Sequence, residues 1–243
     1  ELNFKKSATM QLFYNADIKS TDTLFQFDKE ESKHVIKVLR KRAGDVIFIT
    51  NGKGFVFHSK ITLESEKKCE VSIEKVTLHE ATKYHLHIAI APTKMNDRLE
   101  WFLEKATEIG IHEITPLMCD HSERKFFKID RAEKIIQAAL KQSNQFYLPL
   151  INEPVSFSEF ITKKTNSQKF IAHCEEHKKE LFKNSLQPNQ NVIILIGPEG
   201  DFSVKEITSA LKNNFIPVSL GHTRLRTETA GVIACHTVSL INE

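Results

Sequence analysis

Residues 192–220 read VIILIGPEGDFSVKEITSALKNNFIPVSL, and the order of elements in this stretch decides the fold. Val192 to Ile196 is an unbroken apolar run with no polar alternation, too short for a helix, which is the pattern of a strand buried on both faces of a sheet. Gly197-Pro198-Glu199-Gly200 punctuates it as a turn. Ser203 and Glu206 then have the spacing of a capping box, predicting a helix from Ser203 to Asn213, and Ile216 to Leu220 predicts the next strand. A buried strand followed by a helix and another strand is the grammar of an α/β domain.

Working outward, the same grammar reaches back to about residue 83. His85 to Ala91 predicts a strand. Asp97 and Glu100 have capping-box spacing, Leu99, Phe102, Leu103, Ala106 and Ile109 form one apolar stripe, and Gly110 falls where a left-handed C-cap belongs. Ile114 to Met118 and Lys169 to Cys174 read as strands, Arg131 to Gln142 as a helix, and Thr229 to Leu240 as a terminal helix. Before that boundary the pattern is period two: Leu12 to Tyr14, Val46 to Thr50, Gly54 to His58 and Cys69 to Ile73 predict short strands of a small β-barrel or sandwich. Asn51-Gly52 supplies a hairpin turn between two of them. One helical interruption is expected at Lys33 to Lys41, with Val35, Ile36 and Leu39 inward and Lys37, Arg40 and Arg42 outward. The change of pattern near Thr77 to Tyr84 separates a domain at 10–80 from one at 81–243, with residues 1–9 expected to be a disordered extension.

Composition narrows the classes. The chain has 243 residues, 40% hydrophobic and 27% charged, close to the globular average, so a mostly disordered or collagen-like chain is excluded. Nothing in it is apolar for the roughly 18 to 20 residues that a membrane-spanning helix needs, and its first residues lack the apolar stretch of a secretory signal. A cytoplasmic protein with no membrane partner is expected. Cys69, Cys119, Cys174 and Cys235 stand far apart, with no CxxC pair and no histidine at zinc-ligand spacing, which predicts buried free thiols and no metal. With 34 basic and 31 acidic residues the formal charge is +3, which permits RNA binding without demanding it.

Two loops stand out as candidate chemistry. Each follows a strand and precedes a helix, where ligands of α/β folds bind: Gly197 to Phe202, and Gly221-His222-Thr223-Arg224-Leu225-Arg226-Thr227-Glu228-Thr229-Ala230. Neither contains a GxxxxGK[ST] or GxGxxG pattern, and Glu199 would repel a polyphosphate, so a neutral or cationic flat ligand fits better. Taken alone, the first is an ordinary strand-to-helix turn and the charges of the second a solvated ion-pair cluster. Together, LIGPEGDF and LGHTRLRTETA resemble the C-terminal signature of the RsmE family of small-subunit ribosomal RNA uridine-N3 methyltransferases. The likeness extends through His34-Val35-Ile36-Lys37-Val38-Leu39-Arg40 with Ala43-Gly44-Asp45, Lys94 to Trp101, Lys105 to Gly110, Ile114-Thr115-Pro116 and Ser122-Glu123-Arg124. The chain departs from the family's pattern at Asp201, where a second glycine is usual, and at Gln145, near the slot of an arginine.

The resemblance implies a PUA-like β-barrel followed by a SPOUT α/β domain with a C-terminal trefoil knot, working as a homodimer. It implies S-adenosyl-L-methionine as cofactor, held by Ile196, Gly197, Glu199 and Gly200 of one loop and Leu220, Gly221, Leu225, Thr227, Thr229 and Ala230 of the other. The substrate implied is 16S ribosomal RNA within the small ribosomal subunit, contacted by Lys37, Arg40 and Arg42 and by Lys94 and Arg98. Transfer to N3 needs the imide proton removed and the anion stabilised, for which Arg226 and Glu228, then Arg124, are the catalytic candidates. Glu228 serves equally as a base or as the group that orients Arg226. Two alternatives stay open: a noncatalytic RNA-binding assembly factor, and a ribose 2'-O methyltransferase on the same fold.

Overall fold

A computed structural model describes residues 10–124, 127–175 and 179–243; the expected extension 1–9 lies outside them. The chain forms two compact units. One comprises residues up to Ala81 with Leu140–Tyr147, the other Thr82–Ala139 with Leu148–Glu243. Among the described residues no helix is long and apolar enough to cross a membrane.

The first unit holds β1 (Leu12–Tyr14), β2 (Leu24–Gln26), α1 (Lys29–Lys33), β3 (Val46–Thr50), β4 (Phe55–Leu63) and β5 (Glu70–Leu78). They form one curled sheet in the order β1-β3-β4-β5-β2, a half-barrel whose end strands β1 and β2 do not pair with each other. Phe13, Phe27, Val35, Ile47, Ile49, Phe57 and Val71 fill its core, so Phe13 is a packing residue. The expected helix at Lys33 to Lys41 divides in two. Asp28 caps α1 through the Glu31 amide, and a π-helical turn follows at His34–Val38. The wider turn still buries Val35 and Ile36, and the chain leaves it through Arg40 at φ 55°. In the β3–β4 hairpin Gly52 and Gly54 take the positive φ values of 71° and 86°, while Asn51 does not. The Asn51 side chain instead accepts from the Lys53 amide.

The second unit contains β6 (Leu86–Ile90), α2 (Asn96–Ile109), β7 (Glu113–Met118), α3 (Ile129–Ser143, whose last turn lies in the first unit), β8 (Leu150–Ile151), β9 (Val155–Ser156), α4 (Phe157–Ile161), β10 (Gln168–Ala172), β11 (Glu180–Leu181), α5 (Phe182–Ser185), β12 (Val192–Ile196), α6 (Val204–Lys212), β13 (Ile216–Ser219) and α7 (Thr227–Ile241). The strands form a sheet in the order β11-β13-β10-β12-β6-β7-β8, with β9 beside β7, and every pairing is parallel. Alternation along β6 and β12 divides the core. Leu86, Ile88, Ile90, Ile194 and Ile196 pack on one face with α2, α5 and α7, while Ala89 and Leu195 pack on the other with α4 and α6.

Capping explains the helix boundaries. Ser203 and Glu206 make both halves of the capping box of α6, and Gly110 closes α2 at φ 102°. The expected box at Asp97 and Glu100 does not form. Met95 occupies the N-cap with no side-chain bond, and Glu100 pairs with Arg131 at 2.7 Å. Among the four cysteines, all free, Cys69 and Cys235 are buried, Cys119 is half-buried and Cys174 is exposed. Cys174 follows β10, where backbone at a strand end faces outward, so the expectation of burial fails there.

Candidate active site

Parallel strands deliver their C-terminal ends to one edge of the sheet. Because α6 departs from β12 on one face and α7 follows β13 on the other, the loops between them diverge and leave a crevice. A cavity of about 600 Å³ occupies it, within the usual size of a small-ligand site. Its walls come from the ends of β10, β12 and β13 and the loops that follow, including Ile196, Gly197, Glu199, Leu220, Gly221, Leu225, Arg226, Thr227 and Ala230. Of the expected cofactor residues, only Gly200 and Thr229 do not line it.

The two loops are fastened together. Thr227 Oγ1 donates to Gly197 O at 2.9 Å in a buried bond, and the Arg224 guanidinium donates to Glu199 O at 3.3 Å. Glu199 Oε1 accepts from the Lys94 amide at 3.0 Å, so this carboxylate is turned to backbone beyond β6. The Lys94 ammonium pairs with Glu123 at 2.8 Å. A side chain at Gly197 would be crowded, because a Cβ there would stand 3.1 Å from the Phe202 ring and 3.3 Å from the Phe202 amide nitrogen, and Phe202 would have to shift. The backbone is thereby left bare against the cavity.

The three catalytic candidates are placed apart. Arg226 is exposed and lines the cavity from the N-cap of α7. Glu228, two residues on, is buried within the first turn of that helix. Its Oε1 lies 3.9 Å from Arg98 Nε of α2, and its Oε2 meets no hydrogen-bond partner among the described residues. Arg124 lines a separate small cavity of about 70 Å³ with Glu100, Leu103 and Arg131. Of the RNA candidates in the first unit, Lys37 and Arg40 are exposed, whereas the Arg42 guanidinium is engaged by Glu64. Among the described residues no cluster of three or more metal-ligating side chains occurs.

Sequence reasoning missed Lys94 and His121 as loop anchors. His121 Nδ1 lies 3.2 Å from Gly200 O and 3.0 Å from Asp201 O. Both anchors come from distant strand ends, and neither has a local pattern that marks it.

These features can hold a flat molecule against glycine backbone and the apolar side chains of Leu220, Leu225 and Ala230, with two guanidinium groups in the wall, Arg224 tied to the Glu199 carbonyl and Arg226 exposed. Comparison with known proteins agrees. Residues 80–239 match the RNA methyltransferase domain family and residues 27–74 the RNA methyltransferase PUA domain. The chain is 33% identical to the Ribosomal RNA small subunit methyltransferase E of Buchnera aphidicola, over 86% of this chain and 85% of that one. A crystal structure of a probable rRNA-methyltransferase from Porphyromonas gingivalis superposes with a TM-score of 0.89 at 38% identity, covering 96% of this chain and 98% of the other. A Legionella pneumophila methyltransferase solved with bound cofactor SAM superposes with a TM-score of 0.86 at 28% identity and the same coverage.

Proposed function

The chain belongs to the family of ribosomal RNA small subunit methyltransferases E, and on that premise we propose that it transfers a methyl group from S-adenosyl-L-methionine to N3 of a uridine in 16S ribosomal RNA of the small subunit. The observation that carries the reading is the cavity at the ends of β10, β12 and β13, whose walls suit a flat cofactor. It offers bare backbone at Gly197, apolar side chains for a flat ring and no P-loop for a polyphosphate, and its one lysine, Lys179, is spent on the His173 and Glu175 carbonyls.

Leu220, Leu225 and Ala230 would hold the cofactor's base, and the backbone of Gly197 and Gly221 its polar atoms. When bound, that cofactor supplies the methyl group as a sulfonium-borne electrophile. The chain's own task is alignment, holding the uridine nitrogen in line, which is where most of the rate of a displacement arises. Arg226, exposed at the cavity, stabilises the negative charge that grows on the imide as its proton passes to solvent water. Glu228 is buried and faces Arg98 instead of the cavity, which favours a positioning role over that of base. Lys94, just before α2, and Arg98, in its first turn, are paired with Glu123 and Glu228, so a phosphate contact from either exchanges a carboxylate for the phosphate.

The RNA grip falls to the first unit as a PUA-like domain at 10–80, through Lys37 and Arg40, with the methyltransferase domain at 81–243. A C-terminal trefoil knot fits the strand order. The chain crosses from β12 past β10 to β13 with α6 on one face, then returns along the other face as α7 against β6 and α2. We place the protein in the cytoplasm and read it as a homodimer, with the half-buried Val232 and Ile233 of α7 at the contact; Val238 is core. Light scattering should return twice the mass of one chain at micromolar concentration. A fully active monomer would refute the dimer.

The decisive test of function is nucleoside mass spectrometry of 16S RNA from cells with and without the protein. The expected loss is of 3-methyluridine. Loss of a 2'-O-methylnucleoside would move the reaction to the ribose, and an unchanged nucleoside profile would make the protein an assembly factor.

A further inference from the structure

Asp201 stands in a left-handed conformation, φ 64°, which is unfavourable for a residue with a side chain by roughly 1 kcal/mol or more unless its surroundings hold it there. Three groups do. Its Oδ2 accepts from the Cys174 amide at 2.7 Å, its Oδ1 accepts from the Phe202 amide at 2.9 Å, and its carbonyl faces His121 Nδ1 at 3.0 Å. The same nitrogen lies 3.2 Å from Gly200 O. Two acceptors on one ring nitrogen require that nitrogen to carry the proton, so His121 acts as a donor to the loop. Contact is close, since a Cβ on Gly200 would lie 3.2 Å from His121 Cβ.

Apart from the local bond to Phe202, these contacts join different strand ends: Cys174 follows β10, His121 follows β7, and Gly200 and Asp201 follow β12. Neither Asp201 oxygen caps α6, a task that Ser203 already performs. The geometry points to Asp201 and His121 as a clamp that pre-organises the Gly197–Asp201 loop for the cofactor, with the aspartate replacing the conformational freedom of a glycine by hydrogen bonds. Both hold the loop, Asp201 from the cavity wall and His121 from outside it, so the His121 variants isolate the positioning effect, which rests on the cofactor occupying the cavity proposed above. A loop fixed in its binding shape before the ligand arrives spares the ordering cost of binding. The clamp therefore acts on cofactor affinity and leaves the transfer step alone.

The test is calorimetric titration of S-adenosyl-L-methionine into wild type, His121→Ala, His121→Asn, Asp201→Gly and Asp201→Asn, with kcat measured at saturating cofactor. His121→Ala should weaken binding roughly five- to tenfold, the scale of one or two lost hydrogen bonds. His121→Asn, which keeps a donor near the Nδ1 position, should restore most of that loss. Asp201→Gly should weaken binding more than Asp201→Asn, because asparagine keeps the acceptor. In every variant KM for the cofactor should rise in proportion while kcat stays near wild type. A surface residue of purely structural importance would lower the melting temperature of the cofactor-free protein without this split and without the asparagine rescue. If wild type binds and both His121→Ala and Asp201→Gly bind equally well, the clamp is refuted and the cavity assignment stands. If wild type itself fails to bind, the cavity assignment falls and takes the clamp with it.

Discussion

Arg226 and Glu228 are separated by one residue and by opposite environments, and that contrast sets their expected behaviour. The guanidinium is exposed at the cavity, so Arg226→Ala should lower turnover by roughly a hundredfold or more, the scale of removing one preorganised electrostatic donor, with cofactor affinity unchanged. Arg226→Lys keeps the charge without the planar fork and should recover part of the rate. Single-turnover kinetics at saturating RNA measures both, and a normal rate with weakened RNA affinity would make Arg226 a substrate grip. The sequence could nominate both residues because they follow a strand and open a helix. It could not separate them, since the burial of Glu228 against Arg98 depends on α2 lying beside α7. Asp201 was legible only as a departure from a pattern; its reason, the Cys174 amide 27 residues away, has no local signature.

At the scale of elements, the capping box of α6 was readable because both its partners lie three residues apart. What the spacing did not show is the tie to the end of β7. Ser203 Oγ also donates to Asp120 Oδ2 at 2.6 Å, and the buried Glu206 accepts from the Asp120 amide at 2.9 Å. Ser203→Ala should therefore cost about 1–2 kcal/mol, the upper part of the range for a lost N-cap, read from the urea midpoint; a cost near zero would show that the tie contributes nothing. The two-residue strands β8, β9 and β11 escaped sequence reading, since such strands exist only through the neighbours that pair with them. The β6–β7 pair carries a titratable cluster of the same kind. Burial holds His87 and His112 near pKa 4, below the usual 6.5, with Glu113 and Lys163 facing the first ring and His85 facing both. Glu113 is held near 2, chiefly by its hydrogen bond from His85. All three groups bind protons less readily folded than unfolded, so their contribution to stability is complete above about pH 6.5. It should fall as pH drops through 4 for the histidines and further toward 2 for the carboxylate. Urea unfolding across pH 7 to 4 should show this, and His87→Gln, which cannot titrate, should remove up to about one proton from the slope; an unchanged slope would mean that His87 titrates normally.

The whole molecule divides into two units with different cores, and the change from period-two to strand-and-helix patterning announced two architectures because each period answers a different packing problem. The π-helical turn was not announced, since a wider turn keeps the same residues inward and so leaves the apolar pattern of Val35 and Ile36 unaltered. On the proposed division of labour, the first unit grips RNA and the second does chemistry, and variants in the two should fail differently. Arg40 is exposed beyond that turn, whereas Arg42 is already engaged by Glu64. An exposed guanidinium can release counterions from a phosphate at little cost, while a paired one must first give up its carboxylate. Arg40→Ala should thus weaken RNA binding and reduce the slope of log affinity against log salt by about one. Arg42→Ala should change both less. At saturating RNA, methyl transfer by Arg40→Ala should proceed at the wild-type single-turnover rate, the reverse of the Arg226→Ala result. If Arg40→Ala instead slows transfer at saturation and leaves the salt slope intact, the first unit takes part in catalysis and the division fails.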